Sequence, residues 1–180
     1  MPSASQSPPA TAGLSFLLPQ LLTGLRLLSA PLLWWLIVNF FLGAALVCLA
    51  LAMISDAVDG ALARRFGFPS RAGAYFDATA DFAVIAAGFA AFTWIGIYPF
   101  WLVGMIGLAF VVFLVTSRLT PSIYDPVGRY IGGVLYAAAF ATLLLPDALL
   151  QHTILWTATG ALAITLGARA IHTLAAVRKL

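Results

Sequence analysis

Long apolar runs broken by short polar connections dominate the chain, and they predict six helical spans at roughly 20–41, 43–64, 72–96, 99–118, 128–146 and 150–175. Each run continues for about twenty residues, the length an α-helix needs to cross a bilayer. Transmembrane β-strands would instead alternate in polarity over about ten residues, which excludes a barrel. Residues 1–12, MPSASQSPPATA, are small, polar and Pro-rich and are expected to form a disordered tail. They lack the basic n-region of a signal peptide. Gly13 to Pro19 could form a short interfacial helix leading into the first span, and 13–180 then make a single domain.

Composition agrees with the pattern. Of 180 residues, 63% are hydrophobic and 8% charged, and mean hydropathy is +1.04. A soluble domain carries about a quarter charged residues, so the fold class expected is an all-α polytopic membrane protein. Six spans of about 20 residues leave no room for a separate soluble domain. No internal repeat is evident. Trp34, Trp35, Trp94, Trp101 and Trp156 lie in apolar runs, several near expected span ends, where indole favours the headgroup level. The single cysteine, Cys48, excludes a disulfide framework or a cysteine-rich metal site and reads as a small buried hydrophobe.

The net charge of +3 and a pI near 9.4 point to basic loops rather than to nucleic acid as a partner. Arg64, Arg65 and Arg71 lie between spans 2 and 3, Arg118 and Arg129 flank the connection between spans 4 and 5, and Arg169, Arg178 and Lys179 are C-terminal. The intervening connections, at 39–43, 96–100 and 146–152, contain neither Lys nor Arg. With an even number of spans, both termini are expected on the cytoplasmic side. Arg26, slightly inside span 1, belongs with that side.

The acids carry the chemistry. All six are Asp, and four fall between positions 56 and 81. At 100° per residue, Asp56 and Asp59 lie about 60° apart on one helix, and Asp77 and Asp81 about 40° apart on the next. Two neighbouring helices would each present a carboxylate pair. Four carboxylates at membrane depth require compensating cations, and Arg64, Arg65 and Arg71, the basic residues nearest in sequence, are too few to neutralise them and also hold a ligand. All-oxygen ligation without His or Cys favours Mg²⁺ or Mn²⁺, and four carboxylates can hold two such ions. Paired metals suit a diphosphate. Gly60 and Gly73 give a ligand close access to the backbone, and Arg64 offers a planar fork to phosphate. A carrier or cation pathway also uses intramembrane Asp, but it would need polar residues through the membrane thickness. Spans 4 and 6 have no acid.

Asp56-x2-Asp59-Gly60-x2-Ala63-Arg64-x8-Gly73-x3-Asp77-x3-Asp81 resembles the complete signature of the CDP-alcohol phosphotransferases, membrane enzymes that make phospholipids from CDP-diacylglycerol or a related CDP-alcohol. Pro19-Gln20-x2-Thr23-x2-Arg26 and Pro31 are similar to the first-helix pattern of that family, with Gln20 in place of the usual Asn. The resemblance implies that Asp56, Asp59, Asp77 and Asp81 hold two divalent cations, with Asp81 also the general base. It implies that Asp59, Gly60, Ala63, Arg64, Gly73 and Thr23 contact the CDP-alcohol, and that the protein is a homodimer. Such an enzyme would pass a phosphatidyl group to a small polar alcohol and release CMP. The stretch Asp77-Ala-Thr-Ala-Asp81 is nearest the inositol-phosphate transferases, without their following Arg. Arg118 and Arg129 are candidates for binding the phosphate of an acceptor such as inositol phosphate or glycerol 3-phosphate, favoured over serine. The expected location is a bacterial or archaeal cytoplasmic membrane, with the site facing the cytoplasm.

Overall fold

The computed structural model describes the backbone of residues 11–66, 71–119 and 126–177, and side chains within 23–58, at 73, and within 75–117 and 130–171. Six α-helices make up the described chain: α1 (Thr11–Val38), α2 (Leu42–Phe66), α3 (Arg71–Trp94), α4 (Phe100–Leu119), α5 (Pro126–Leu144) and α6 (Ala148–Val177). Three contain stretches long and apolar enough to cross a membrane, Tyr75–Trp94, Phe100–Ser117 and Ala148–Ile171. The other three contain shorter apolar stretches, Thr23–Val38, Leu42–Val58 and Tyr130–Leu144. The protein is therefore an all-α, polytopic membrane protein.

Residues 1–10 of the expected disordered tail lie outside the described residues, and Thr11 and Ala12 already belong to α1. The separate interfacial helix expected over 13–19 is absent from the described chain, because α1 runs unbroken through Pro19 and on through Pro31. A proline removes one backbone donor and kinks helices as well as breaking them; here the surrounding turns carry the helix past both.

Tight turns join the helices at the end remote from the acids. After α1, the Phe40 N–H donates to the Ile37 carbonyl (3.0 Å) and the Phe41 N–H to the Leu36 carbonyl (2.9 Å). After α3, the Gly96 N–H donates to Thr93 (3.1 Å) and the Ile97 N–H to Phe92 (2.8 Å). Both turns are Schellman closures, with the left-handed position filled by Phe40 (φ 61°) in one and Gly96 (φ 84°) in the other. Asp147 caps α6, its Oδ1 accepting from the Leu150 N–H at 2.9 Å.

The core follows helical spacing. Ala30, Leu33 and Ile37 of α1 meet Ala45, Leu49 and Ala52 of α2 and Val84, Phe89 and Phe92 of α3, all buried. Leu135, Ala139 and Leu143 of α5 and Ile154, Ala158 and Leu162 of α6 continue it. The most extensive packing is of α1 against α3, then of α1 against α2. Half-buried Cys48 packs at the margin as a free thiol. Opposite faces are also apolar: Leu51, Ile54 and Val58 of α2 and Leu108, Val111 and Val115 of α4 are exposed. A helix apolar on every side is suited to a membrane.

Candidate active site and metal centre

α2, which carries Asp56, and α3, which carries Asp77 and Asp81 in its first half, both pack against α1, so carboxylates distant in sequence converge. Ligand oxygens from Asp56, Asp77 and Asp81 all lie within 4.8 Å of one another. Three carboxylates at that separation repel strongly in a medium of low dielectric. A cation offsets this from within the protein. Arg26, on α1, places Nη1 2.7 Å from Asp77 Oδ1, 2.9 Å from Asp81 Oδ1 and 3.3 Å from Asp56 Oδ1.

The guanidinium is held along its length. Its Nε donates to Ser55 Oγ at 3.3 Å, and the Ser55 hydroxyl donates to the Ala52 carbonyl at 2.8 Å. One turn away, Ser29 Oγ donates to the Arg26 carbonyl at 2.6 Å. From α5, the Tyr136 hydroxyl donates to Asp81 Oδ1 at 3.3 Å. Four helices thus supply the site. The Arg26 side chain is 0% exposed, whereas those of Asp81, Asp77 and Asp56 are 25%, 37% and 42% exposed. The arginine forms the floor and the carboxylates open toward the surface.

The donor set fits a hard divalent cation. Every ligand is a carboxylate oxygen, as Mg²⁺ and Mn²⁺ prefer, and three carboxylates less one guanidinium leave a formal charge of −2 for the ion to balance. Three of the four acids expected to meet across two helices, Asp56, Asp77 and Asp81, are thus together in space. Asp59, Gly60, Ala63 and Arg64 lie in α2, but their side chains fall outside the described residues. The same holds for Arg118 near the end of α4 and Arg129 in the first turn of α5. Gly73 is exposed at the start of α3. Thr23 is buried at 5% exposure, one turn before Arg26.

Two residues of the site escape the sequence reading. In the sequence Arg26 reads as a cytoplasmic-side cation and as a position of the family's first-helix pattern, with no link to the acids, whose nearest cations along the chain are Arg64, Arg65 and Arg71. Two of the Arg26 partners, Asp77 and Asp81, are 51 and 55 residues away. A signal existed, since an arginine inside an apolar run needs an internal partner. Tyr136 carries no such signal; a tyrosine in an apolar helix is ordinary.

A family model described as CDP-alcohol phosphatidyltransferase matches residues 16–166. The chain is also 38% identical over 91 residues to a cardiolipin synthase (CMP-forming) of Streptomyces coelicolor, covering 47% of this chain and 42% of that protein. A cardiolipin synthase (CMP-forming)/mitochondrial hydrolase fusion protein of Schizosaccharomyces pombe is 46% identical over 66 residues, 37% of this chain and 11% of that one. A chloroplastic CDP-diacylglycerol–glycerol-3-phosphate 3-phosphatidyltransferase of Oryza sativa is 44% identical over 64 residues, 36% of this chain and 20% of that one. The match therefore spans less than half the length of each of these curated relatives.

Proposed function

Because the chain belongs to the CDP-alcohol phosphatidyltransferase family, we propose that it transfers a phosphatidyl group from CDP-diacylglycerol, or a related CDP-alcohol, to an alcohol acceptor and releases CMP. The observation that carries this reading is the convergence of Asp56, Asp77 and Asp81 from two helices of a membrane protein. Carboxylates so placed suit a diphosphate whose lipid tails remain in the bilayer.

Asp56, Asp59, Asp77 and Asp81 would hold two divalent ions, Mg²⁺ or Mn²⁺. When bound, these would neutralise the diphosphate and stabilise charge on the departing CMP. Asp59, Gly60, Ala63, Arg64, Gly73 and Thr23 bind the CDP-alcohol, Arg64 as a fork to phosphate. The acceptor oxygen forms a bond to the phosphorus that carries the lipid, the bond from that phosphorus to the CMP oxygen breaks, and the hydroxyl proton passes to Asp81. Asp81 is the most enclosed of the three described acids, at 25% exposure, and receives the Tyr136 hydroxyl. That enclosure supports its role as base.

Glycerol 3-phosphate is the favoured acceptor: it is one of the two acceptors the sequence favours, and it appears in the name of a relative. Arg118 and Arg129 would bind its phosphate. The cardiolipin-synthase relatives make a lipid glycerol hydroxyl the principal competitor. The six helices would cross a bacterial or archaeal cytoplasmic membrane with both termini and the site on the cytoplasmic side, and the protein would act as a homodimer. CMP release by purified protein with CDP-diacylglycerol and Mn²⁺ tests the proposal, using glycerol 3-phosphate, phosphatidylglycerol, inositol phosphate, inositol and serine in turn. Release with glycerol 3-phosphate alone is expected. Release with another acceptor would replace the acceptor assignment, and silence with all of them, without binding of the CDP-lipid, would overturn the enzyme reading.

A further inference from the structure

We propose that Arg26 is a positioning residue for the metal centre: it gathers Asp56, Asp77 and Asp81 from beneath, neutralises one of their charges and leaves their outward faces to the divalent ion. This inference rests on the metal-dependent reading above. The geometry points to it in three ways. A single nitrogen, Nη1, meets the Oδ1 atom of all three carboxylates at 2.7, 2.9 and 3.3 Å, so one contact set fixes the mutual spacing of three ligands on two helices. The exposure gradient runs from 0% at the arginine to 25–42% at the acids, which puts the guanidinium on the interior side and the open side above the carboxylates. Ser55 engages Nε, so the head is fixed in orientation as well as position.

A bystander would not need this arrangement. Burying a guanidinium is costly unless it is paired and hydrogen-bonded, and α1 carries this one fully buried beneath the acids. The formal charge left on the three acids is −2, equal and opposite to one Mg²⁺ or Mn²⁺. Without Arg26 the carboxylates would splay apart or take up protons, and the spacing that suits the ion would be lost.

The test compares full-length wild type with Arg26→Met, Arg26→Lys and Arg26→Met/Asp77→Asn in lipid nanodiscs. One readout is Mn²⁺ affinity by electron paramagnetic resonance; the other is the thermal midpoint in EDTA. Arg26→Met should bind Mn²⁺ about 10- to 100-fold more weakly, the loss typical when a group orienting a metal ligand is removed. Arg26→Lys, keeping charge without the Nε anchor on Ser55, should fall between. In EDTA the midpoint of Arg26→Met should drop, and adding Asp77→Asn should restore part of it by removing an uncompensated carboxylate. Unchanged or tighter Mn²⁺ binding in Arg26→Met would overturn the inference and make Arg26 a competitor of the ion. If Arg26→Met fails to fold, wild-type affinity in Arg26→Lys would overturn the positioning role, since charge alone would then suffice. No Mn²⁺ binding by wild type, with the EDTA rescue intact, would instead overturn the metal-dependent reading and leave Arg26 as a counter-ion only.

Discussion

Helices α3 and α4 are neighbours of similar length, yet α3 buries 44% of its apolar stretch inside the protein and α4 only 11%. The more buried helix is the less apolar one. Toward its neighbours α3 turns Ala80, Gly88 and Ala91 among the larger Val84, Phe89 and Phe92, with Leu33 Cδ2 of α1 only 3.5 Å from where a Cβ on Gly88 would stand. It also carries Asp77 and Asp81. Outward, α4 turns Trp101, Leu108, Val111 and Val115. In water this order would be reversed. In a bilayer the lipid accepts large apolar side chains, so the interior is marked by small residues that let backbones approach and by polar groups that require partners.

The comparison can be broken first at its polar side. Asp81→Asn should reduce turnover by about 10²- to 10⁴-fold, the range for loss of a general base, while CDP-lipid binding persists; equal losses of turnover and binding would remove the catalytic assignment. Packing gives the next largest effect. Ala91 is fully buried, so Ala91→Leu should overpack α3 and cost about 1–3 kcal/mol, whereas Val111→Leu on α4 should stay within about 0.5 kcal/mol. Equal costs in detergent-unfolding measurements would show that α4 is not a lipid-facing helix.

The turn linking the two helices offers a smaller effect. The Thr142 hydroxyl has one hydrogen, which it gives to the Ala138 carbonyl at 2.7 Å, so the Tyr98 hydroxyl donates in the 2.7 Å contact with Thr142 Oγ1. Tyr98→Phe should cost about 1 kcal/mol in thermal unfolding and leave the Michaelis constants unchanged. The turn after α1 sharpens the point. Gly96 closes α3 without strain, while Phe40 holds a left-handed conformation that costs a non-glycine residue about 1 kcal/mol. Phe40→Gly should therefore raise stability by up to about 1 kcal/mol; a loss would show that the exposed Phe40 ring contributes more as an apolar anchor than its backbone costs.

Most helix positions could be read because apolar runs and turn residues are local signals. The span expected at 99–118 is α4 at Phe100–Leu119, and that at 150–175 is α6 at Ala148–Val177. The earlier start of α6 has a local cause in the Asp147 cap. Continuity of α1 was not legible, since the outcome at Pro19 depends on what packs around it. In the site, the convergence of Asp56, Asp77 and Asp81 followed from helical spacing on two helices joined by a short connection. The Arg26 contacts did not, because they depend on how α1 docks across α2 and α3. No spacing rule reaches 55 residues along a chain.

The most direct test of the account is CMP release from CDP-diacylglycerol and glycerol 3-phosphate by purified wild type, measured first in EDTA and then after Mn²⁺ is restored, beside Asp77→Asn. No release is expected in EDTA, with recovery when Mn²⁺ is restored to wild type and no recovery in the variant. Release that persists in EDTA, or that Asp77→Asn supports at the wild-type rate, would contradict a metal-dependent transfer centred on the α2 and α3 aspartates.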